Sequence, residues 1–232
     1  MADRRAARVA VVGAVGGVGA TTVACGLSLA WAVERGMDPW LVELDEARGD
    51  LGARWDLPGE RTLSDLATVA DGIDADHLAR AAVTHRSGAV VLLAPRPGAP
   101  VDSGVVKGVL AAVEPRCPVV LDLGAAQGEA ARCAARHASL ALVVAPTSSR
   151  GARLARRLVE GILGQTVTRL VAVSTPSGDL SARSLARAVG VEQAGSLPRS
   201  RRQAATVCEG RWPRSRRRGL RRPLLSLADG IA

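Results

Sequence analysis

Ten residues, Gly13-Ala-Val-Gly-Gly-Val-Gly19-Ala20-Thr21-Thr22, concentrate four glycines and two hydroxyls between an apolar run and a helix-forming stretch. A glycine-rich turn that opens a helix can wrap its backbone around phosphate groups. Its N–H groups point inward, and the helix N-terminus adds partial positive charge. Thr21, at the end of the turn, is placed to ligate Mg2+. Gly13, Gly19 and Thr21 fit the phosphate-loop pattern G-x-x-x-x-G-K-[ST], whereas Ala20 stands where the lysine belongs. Two acidic positions follow in the order such a site needs. Glu43-Leu-Asp45 ends one apolar run, and Val119-Val-Leu-Asp122 is an apolar strand closed by an Asp suited to hold a Mg2+-bound water. The plainer alternative is a helix–sheet packing turn with ordinary strand-end acids. Three matches in chain order favour the phosphate site.

These groups must be positioned by alternating strands and helices. Val9–Val12, Trp40–Leu44, Ala89–Ala94, Pro118–Leu123, Leu140–Ala145, Arg169–Ser174 and Ala194–Leu197 read as strands. Thr21–Arg35, Leu63–Val69, Asp76–Val83, Val101–Val113, Glu129–His137, Arg150–Ile162 and Ser181–Val189 read as helices. Continuous apolar strands separated by helices mean an α/β fold, a mostly parallel sheet with helices on both faces. A competing outline is a secretory signal or membrane span. Met1–Arg8 is basic, Val9–Val33 is uncharged, and Leu29-Ala-Trp-Ala32 looks like a small-residue cleavage site. Gly13, Gly16, Gly17 and Gly19 in its centre argue against it, because a helix suffers most there.

Composition narrows the function. With 232 residues the chain suits one domain with a full core, and its 47% hydrophobic content excludes a disordered polymer. Aromatics are 2%, too few for a stacking platform for single-stranded nucleic acid. Cys25, Cys117, Cys133 and Cys208 form no CxxC pair, and His77, His85 and His137 have no metal-ligand spacing, so reduced, scattered thiols are expected. Charge is uneven: residues 1–131 hold 12 basic against 17 acidic residues, and residues 132–232 hold 19 against 5. Such asymmetry hints at an acidic partner, although 30 of the 31 basic residues are Arg, which also fits a solubilising surface bias.

Val15-Gly-Gly-Val-Gly-Ala-Thr-Thr22 resembles the deviant phosphate loop of the MinD/ParA ATPases, K-G-G-x-G-K-[TS]-[TS]. Leu41–Asp45 resembles their strand ending D-x-D, and Val120-Leu-Asp122 their Walker B strand; the likeness runs from about residue 8 to 210. Within that family it looks closest to TadZ/CpaE-like and actinobacterial septum-site-determining (Ssd) proteins. Those carry G-G-x-G-A-[ST], as Gly16–Thr21 does, and a late L-x-x-x-R-R-x-A-x-x-x-x-x-G segment, like Leu197-Pro-Arg-Ser-Arg-Arg-Gln-Ala204 through Gly210. The receiver-like N-terminal domain of some of those relatives is expected to be absent.

The resemblance implies a P-loop NTPase fold that takes ATP and Mg2+. Gly16, Gly17, Val18, Gly19 and Ala20 would line the phosphates, and Thr22 would support the α-phosphate. Thr21, Asp45 and Asp122 would serve the metal, with Asp45 also positioning the attacking water. Val15 and Ala20 replace both lysines of the family loop, and the only lysine, Lys107, lies on a distant helix. Loss of such cations costs roughly two to four kcal/mol of transition-state stabilisation, so binding is expected to outlast turnover. An Arg from a partner subunit could substitute, with Arg48 and Arg150 the candidates after strand ends.

The implied function is a homodimeric spatial regulator in the cytoplasm or at the inner face of the membrane. It would act with the proteins of a division septum or of a Tad/Flp pilus (secretion) machine. The alternative is a nucleotide-independent scaffold with a degenerate loop; DNA binding is not expected. The chain is divided into a domain, 1–208, and a basic tail, 209–232. In the tail, Arg211–Arg222 followed by Leu224, Leu225, Leu227 and Ile231 suits either anionic lipid or a helix folded back on the domain. Pro223 and Gly230 interrupt that helix and no aromatic residue anchors it, which favours the second reading.

Overall fold

Val9, Ala10, Val11 and Val12 are all fully buried and form the centre of β1 (Arg8–Gly13). An apolar run without alternation is what a strand covered on both faces requires. The computed structural model describes residues 6–46, 48–95, 101–125, 128–164, 166–176, 178–214 and 219–231. After β1 come β2 (Trp40–Glu43), β3 (Val83–Thr84), β4 (Val90–Leu92), β5 (Val119–Asp122), β6 (Leu140–Pro146), β7 (Thr168–Val173) and β8 (Glu192–Leu197). They form one sheet in the order β3-β4-β2-β5-β1-β6-β7-β8, and only β3 runs antiparallel to its neighbour. The mostly parallel α/β architecture expected from the apolar runs is therefore present.

The chain reverses its direction of travel across the sheet at β1, whose neighbours are β5 on one side and β6 on the other. Such a switch point leaves a crevice at the C-terminal ends of the strands. Register brings the chemistry there: Asp122 pairs with Val11 of β1 and with Glu43 of β2, and Gly13 pairs with Val144.

Helices cover both faces. One face carries α3 (Ala75–Ala81), α4 (Ser103–Ala112), α5 (Glu129–His137), α6 (Ser149–Leu158) and α7 (Ala182–Val189), with a 3-10 segment over Leu63–Gly72. The other carries α1 (Ala20–Leu29), a short α2 (Leu51–Arg54), α8 (Arg201–Cys208) and α9 (Arg221–Asp229). Both α1 and α6 run on into a π-helical turn, Ala30–Glu34 and Val159–Leu163. The uncharged stretch Val9–Val33 is thus a strand, a loop and a helix, and no helix among the described residues is long and apolar enough to cross a membrane.

Four elements differ from the sequence expectation. The helix expected over Asp76–Val83 ends at Ala81, and Val83 instead joins the two-residue strand β3. Two helices, α2 and α8, lie where none was expected. Pro223 does not interrupt α9, because it is the third helical residue, where no intrahelical acceptor exists for its missing N–H. Leu224, Leu227 and Ala228 of α9 are buried, and Leu224 presses on Gly26 of α1, so the C-terminal segment folds back on the domain. Part of the basic run, 215–218, lies outside the described residues.

Candidate functional site

The turn between β1 and α1 is tied to both neighbouring strand ends. Gly13 N–H donates to the Gly124 carbonyl at 2.8 Å, and Ala14 N–H to that of Val144 at 2.9 Å. Gly17 (φ +71°) and Gly19 (φ +106°) take left-handed backbone, which favours glycine. Gly19 is also the N-cap of α1, with no side chain capping the helix and no acid in its first turn. The first N–H groups of α1 therefore remain available to an anion at the positive end of the helix.

Opposite the turn stand the strand-end acids. Asp122 is 1% exposed. Its carboxylate accepts from Gly124 N–H at 3.1 Å, and the Thr21 hydroxyl is near enough to favour its charged form. Burial pushes it up to about 7, with the nearby charges of Glu43 and Asp45 adding to the rise and Thr21 and Gly124 opposing it. Asp45 accepts from Arg48 N–H at 3.1 Å, and its carboxylate packs so tightly on Gly124 that a Cβ there would collide with it. Thr21, Asp45 and Gly124 line one cleft of about 290 Å³ together with Gly16, Gly17, Val18, Gly19, Ala20 and Thr22. Asp122 stands behind them, reached through Thr21.

Glu43 has a different task. Its Oε1 accepts from Asp50 N–H at 2.8 Å and Leu51 N–H at 3.0 Å, and its Oε2 from Ala94 N–H at 3.0 Å. Burial raises its carboxyl while these bonds hold it down. It anchors the loop that carries Asp45 and Arg48, and both its oxygens are spent on backbone.

The positions of the family lysines carry no cation. Val15 lines the cleft, and Ala20 is 8% exposed within an apolar cluster. Lys107 is exposed on α4, on the other face of the sheet, and Arg150 is exposed on α6 and lines neither this cleft nor its neighbour. Arg48 is the residue that reaches the loop. Its Nη1 lies 3.1 Å from where a Cβ on Gly16 would stand. Of the two candidate arginines, Arg48 is thus the one placed at the loop of its own chain. Arg54 lines the cleft as well, paired with Asp50 at 2.6 Å.

A second cavity of about 350 Å³ continues from the loop. Pro146, Val173 and Thr175 form one wall, and Leu197-Pro-Arg-Ser-Arg201 with Ala204 the other. The late L-x-x-x-R-R segment thus borders the cavity, which sequence spacing alone does not show. Cys208 was likewise missed: its Sγ lies 3.2 Å from Thr22 Oγ1, across 186 residues of chain. No local pattern announces such a contact.

No family model and no curated protein matches the sequence. Solved structures do match. The ParA family ATPase from Chlorobium tepidum TLS superposes with a TM-score of 0.82 at 15% identity, covering 96% of this chain and 98% of that one. MinD in the MinC:MinD cell division complex of Aquifex aeolicus gives 0.73 at 17% identity, over 95% and 93%. The septum site-determining protein MinD of Pyrococcus horikoshii OT3, complexed with Mg-ADP, gives 0.72 at 16% identity, over 96% and 94%. The chain has the MinD/ParA P-loop NTPase fold over nearly its whole length.

Proposed function

We propose that this chain is an ATP-binding spatial regulator of the MinD/ParA type, closest to the TadZ/CpaE-like and Ssd proteins, in which an arginine in the same chain takes over from the missing loop lysines. The observation that carries this reading is Arg48, whose guanidinium lies against Gly16 at the mouth of a cleft whose backbone donors are open. The loop Gly16–Ala20 would cradle the phosphates through N–H groups, and Thr22 would contact the α-phosphate. Arg48 would neutralise charge as the loop lysine does elsewhere. Its planar fork suits phosphate oxygens, although it reaches them from a different direction.

A divalent cation fits the donor set. Thr21 and Asp45 line the cleft, and Asp122 is a buried carboxylate with no cationic partner among its hydrogen bonds. Few carboxylates are needed, since Mg2+ in such sites keeps waters and phosphate oxygens as ligands. When bound, it would supply charge neutralisation on the phosphates, with Thr21, Asp45 and Asp122 holding it directly or through water. Asp45 would orient the water that attacks the terminal phosphate. Lacking the lysines, the site would bind better than it turns over.

The MinD of P. horikoshii was solved with Mg-ADP, and that of A. aeolicus with MinC. By analogy this chain would dimerise on ATP and recruit a protein partner in the cytoplasm, at a division septum or a Tad/Flp pilus machine. We assign α9 to the fold and not to a lipid surface, since its apolar residues already lie against α1 and β8. The competing reading, a scaffold that ignores nucleotide, is separated by one titration. ATP·Mg2+ and ADP·Mg2+ are titrated by calorimetry, with light scattering on the same samples. ATP binding with dimerisation supports the switch, and Arg48→Ala should weaken it by about 1.5–3 kcal/mol, the range of a charged hydrogen bond. Absence of binding at millimolar nucleotide leaves the scaffold.

A further inference from the structure

Thr22 and Cys25 are three residues apart on α1 and share one side of it, the side crossed by the end of α8. Cys208, the last residue of α8, meets both. Its sulfur lies 3.2 Å from Thr22 Oγ1, one helical turn from Cys25, and the two thiols are near enough that each shifts the other's titration. Both cysteines are free and buried, yet Cys208 also lines the phosphate cleft, whereas Cys25 is fully enclosed. We infer that Cys25 and Cys208 are an oxidisable dithiol at the edge of the cleft, whose disulfide fastens α8 to α1 and takes Cys208 away from Thr22.

The chemistry follows from this asymmetry. Cys208 is the thiol a small peroxide can reach. Cys25 and Thr22, with Arg54 nearby, outweigh burial and pull its thiol down to about 6, whereas burial pushes Cys25 well up. A thiolate at Cys208 attacks hydrogen peroxide: the S–O bond forms, the O–O bond breaks, and the departing hydroxide takes a proton to become water. The Cys25 sulfur then attacks the resulting sulfenic acid. The S–S bond forms, hydroxide leaves from Cys208, and the Cys25 proton completes a second water. Two thiols lose two electrons and one peroxide gains them. Reversible disulfides of this kind suit a reducing compartment as sensors more than as structural links.

Cys117 and Cys133 serve as internal controls. Cys133 faces the other side of the sheet among α4 and α5 residues, and Cys117 sits just before β5 at the opposite end of the strands. That nucleotide in the cleft would shield Cys208 rests on the proposed function; the dithiol itself does not.

The test treats the full chain, reduced and then desalted, with stoichiometric hydrogen peroxide at neutral pH, and maps peptides without reductant. The expected result is a Cys25–Cys208 cross-linked peptide, lighter by two hydrogen atoms and reversed by dithiothreitol, while Cys117 and Cys133 stay reduced. Cys25→Ser should leave Cys208 as sulfenic or sulfinic acid with no cross-link. Over-oxidation of Cys208 beside an untouched Cys25 in the unaltered chain overturns the inference, as does no reaction at either. Repeating the oxidation with ATP·Mg2+ should slow it severalfold. A cross-link that forms at an unchanged rate keeps the dithiol and counts against nucleotide in the cleft.

Discussion

The two faces of the sheet are held together in different ways. On the face of α3 to α7, four of the five helix starts are capped by a side chain within a few residues, α5 alone beginning at an uncapped glycine, Gly128. Asp102 accepts from Val105 N–H at 3.0 Å, Ser148 from Gly151 N–H at 3.1 Å, and Ser181 from Ser184 N–H at 3.0 Å. On the other face, α1, α8 and α9 have no side-chain caps at all. They are fastened instead across nearly the whole chain: Thr22 to Cys208, Glu34 to Trp212 and Arg221, Arg35 to Asp229. Helix starts on the first face are set mostly within a few residues, whereas these links of α1, α8 and α9 join the two ends of the chain. The uncapped starts of α1 and α8 border the cleft and its adjoining cavity, where donors left free can be used by a ligand.

The largest expected effect tests whether α9 belongs to this second face as fully as α7 belongs to the first. Leu224 and Leu185 are both fully buried. Either residue changed to Ala should cost about 2–5 kcal/mol in denaturant melts, the usual range for a buried leucine. Only Leu224→Ala should also loosen α8, read as faster amide exchange over Arg201–Cys208. Equal loosening by Leu185→Ala would break the distinction between the faces.

The same difference explains what the sequence shows. Val9–Val12 and Leu140–Ala145 are legible as strands because burial on both sides leaves an unbroken apolar run. The glycines of the loop and the acids at strand ends are legible because motif and order coincide. The structure brings Thr21, Asp45 and Asp122 to one end of the sheet, but it alone shows that Arg48 folds back on Gly16 and that Glu43 is an anchor. The helix α8 is illegible because its buried residues are only Val207 and Cys208, after a start crowded with arginine. The residue pair that matters there, Thr22 with Cys208, has no periodicity to read.

Next in size is the strain of keeping a charge under the cleft. Asp122, raised to about 7 by burial, takes up a proton in the native state that the unfolded chain does not take up between roughly pH 4 and pH 7. Stability of the ligand-free protein should therefore fall as pH rises through that window and be lowest above it. Asp122→Asn removes this slope. At pH 8 it should stabilise the protein by as much as roughly 4 kcal/mol, at about 1.36 kcal/mol per unit, while weakening the Mg2+-dependent part of nucleotide binding. Melts at pH 5 and pH 8 check the first half and calorimetry with and without Mg2+ the second. A variant no more stable at pH 8 than the parent would mean that the cleft side stores no such strain.

The smallest effect is the most direct comparison of the two faces. Ser148 caps α6, so Ser148→Ala should cost about 1 kcal/mol, as cap removal does. Ser200 occupies the same position before α8 but makes no capping hydrogen bond, and it lines the cavity beside the loop. Ser200→Ala should leave stability within about 0.5 kcal/mol of the parent, as a substitution that removes no native bond does. Its consequence should appear only in ligand affinity, because the α8 N–H groups that no side chain takes are those facing the cavity. If both substitutions cost the same in melts, α8 is capped in solution. The free donors would then be confined to α1, and the arginines of the Leu197–Arg201 wall would have to hold a ligand without help from the helix behind them.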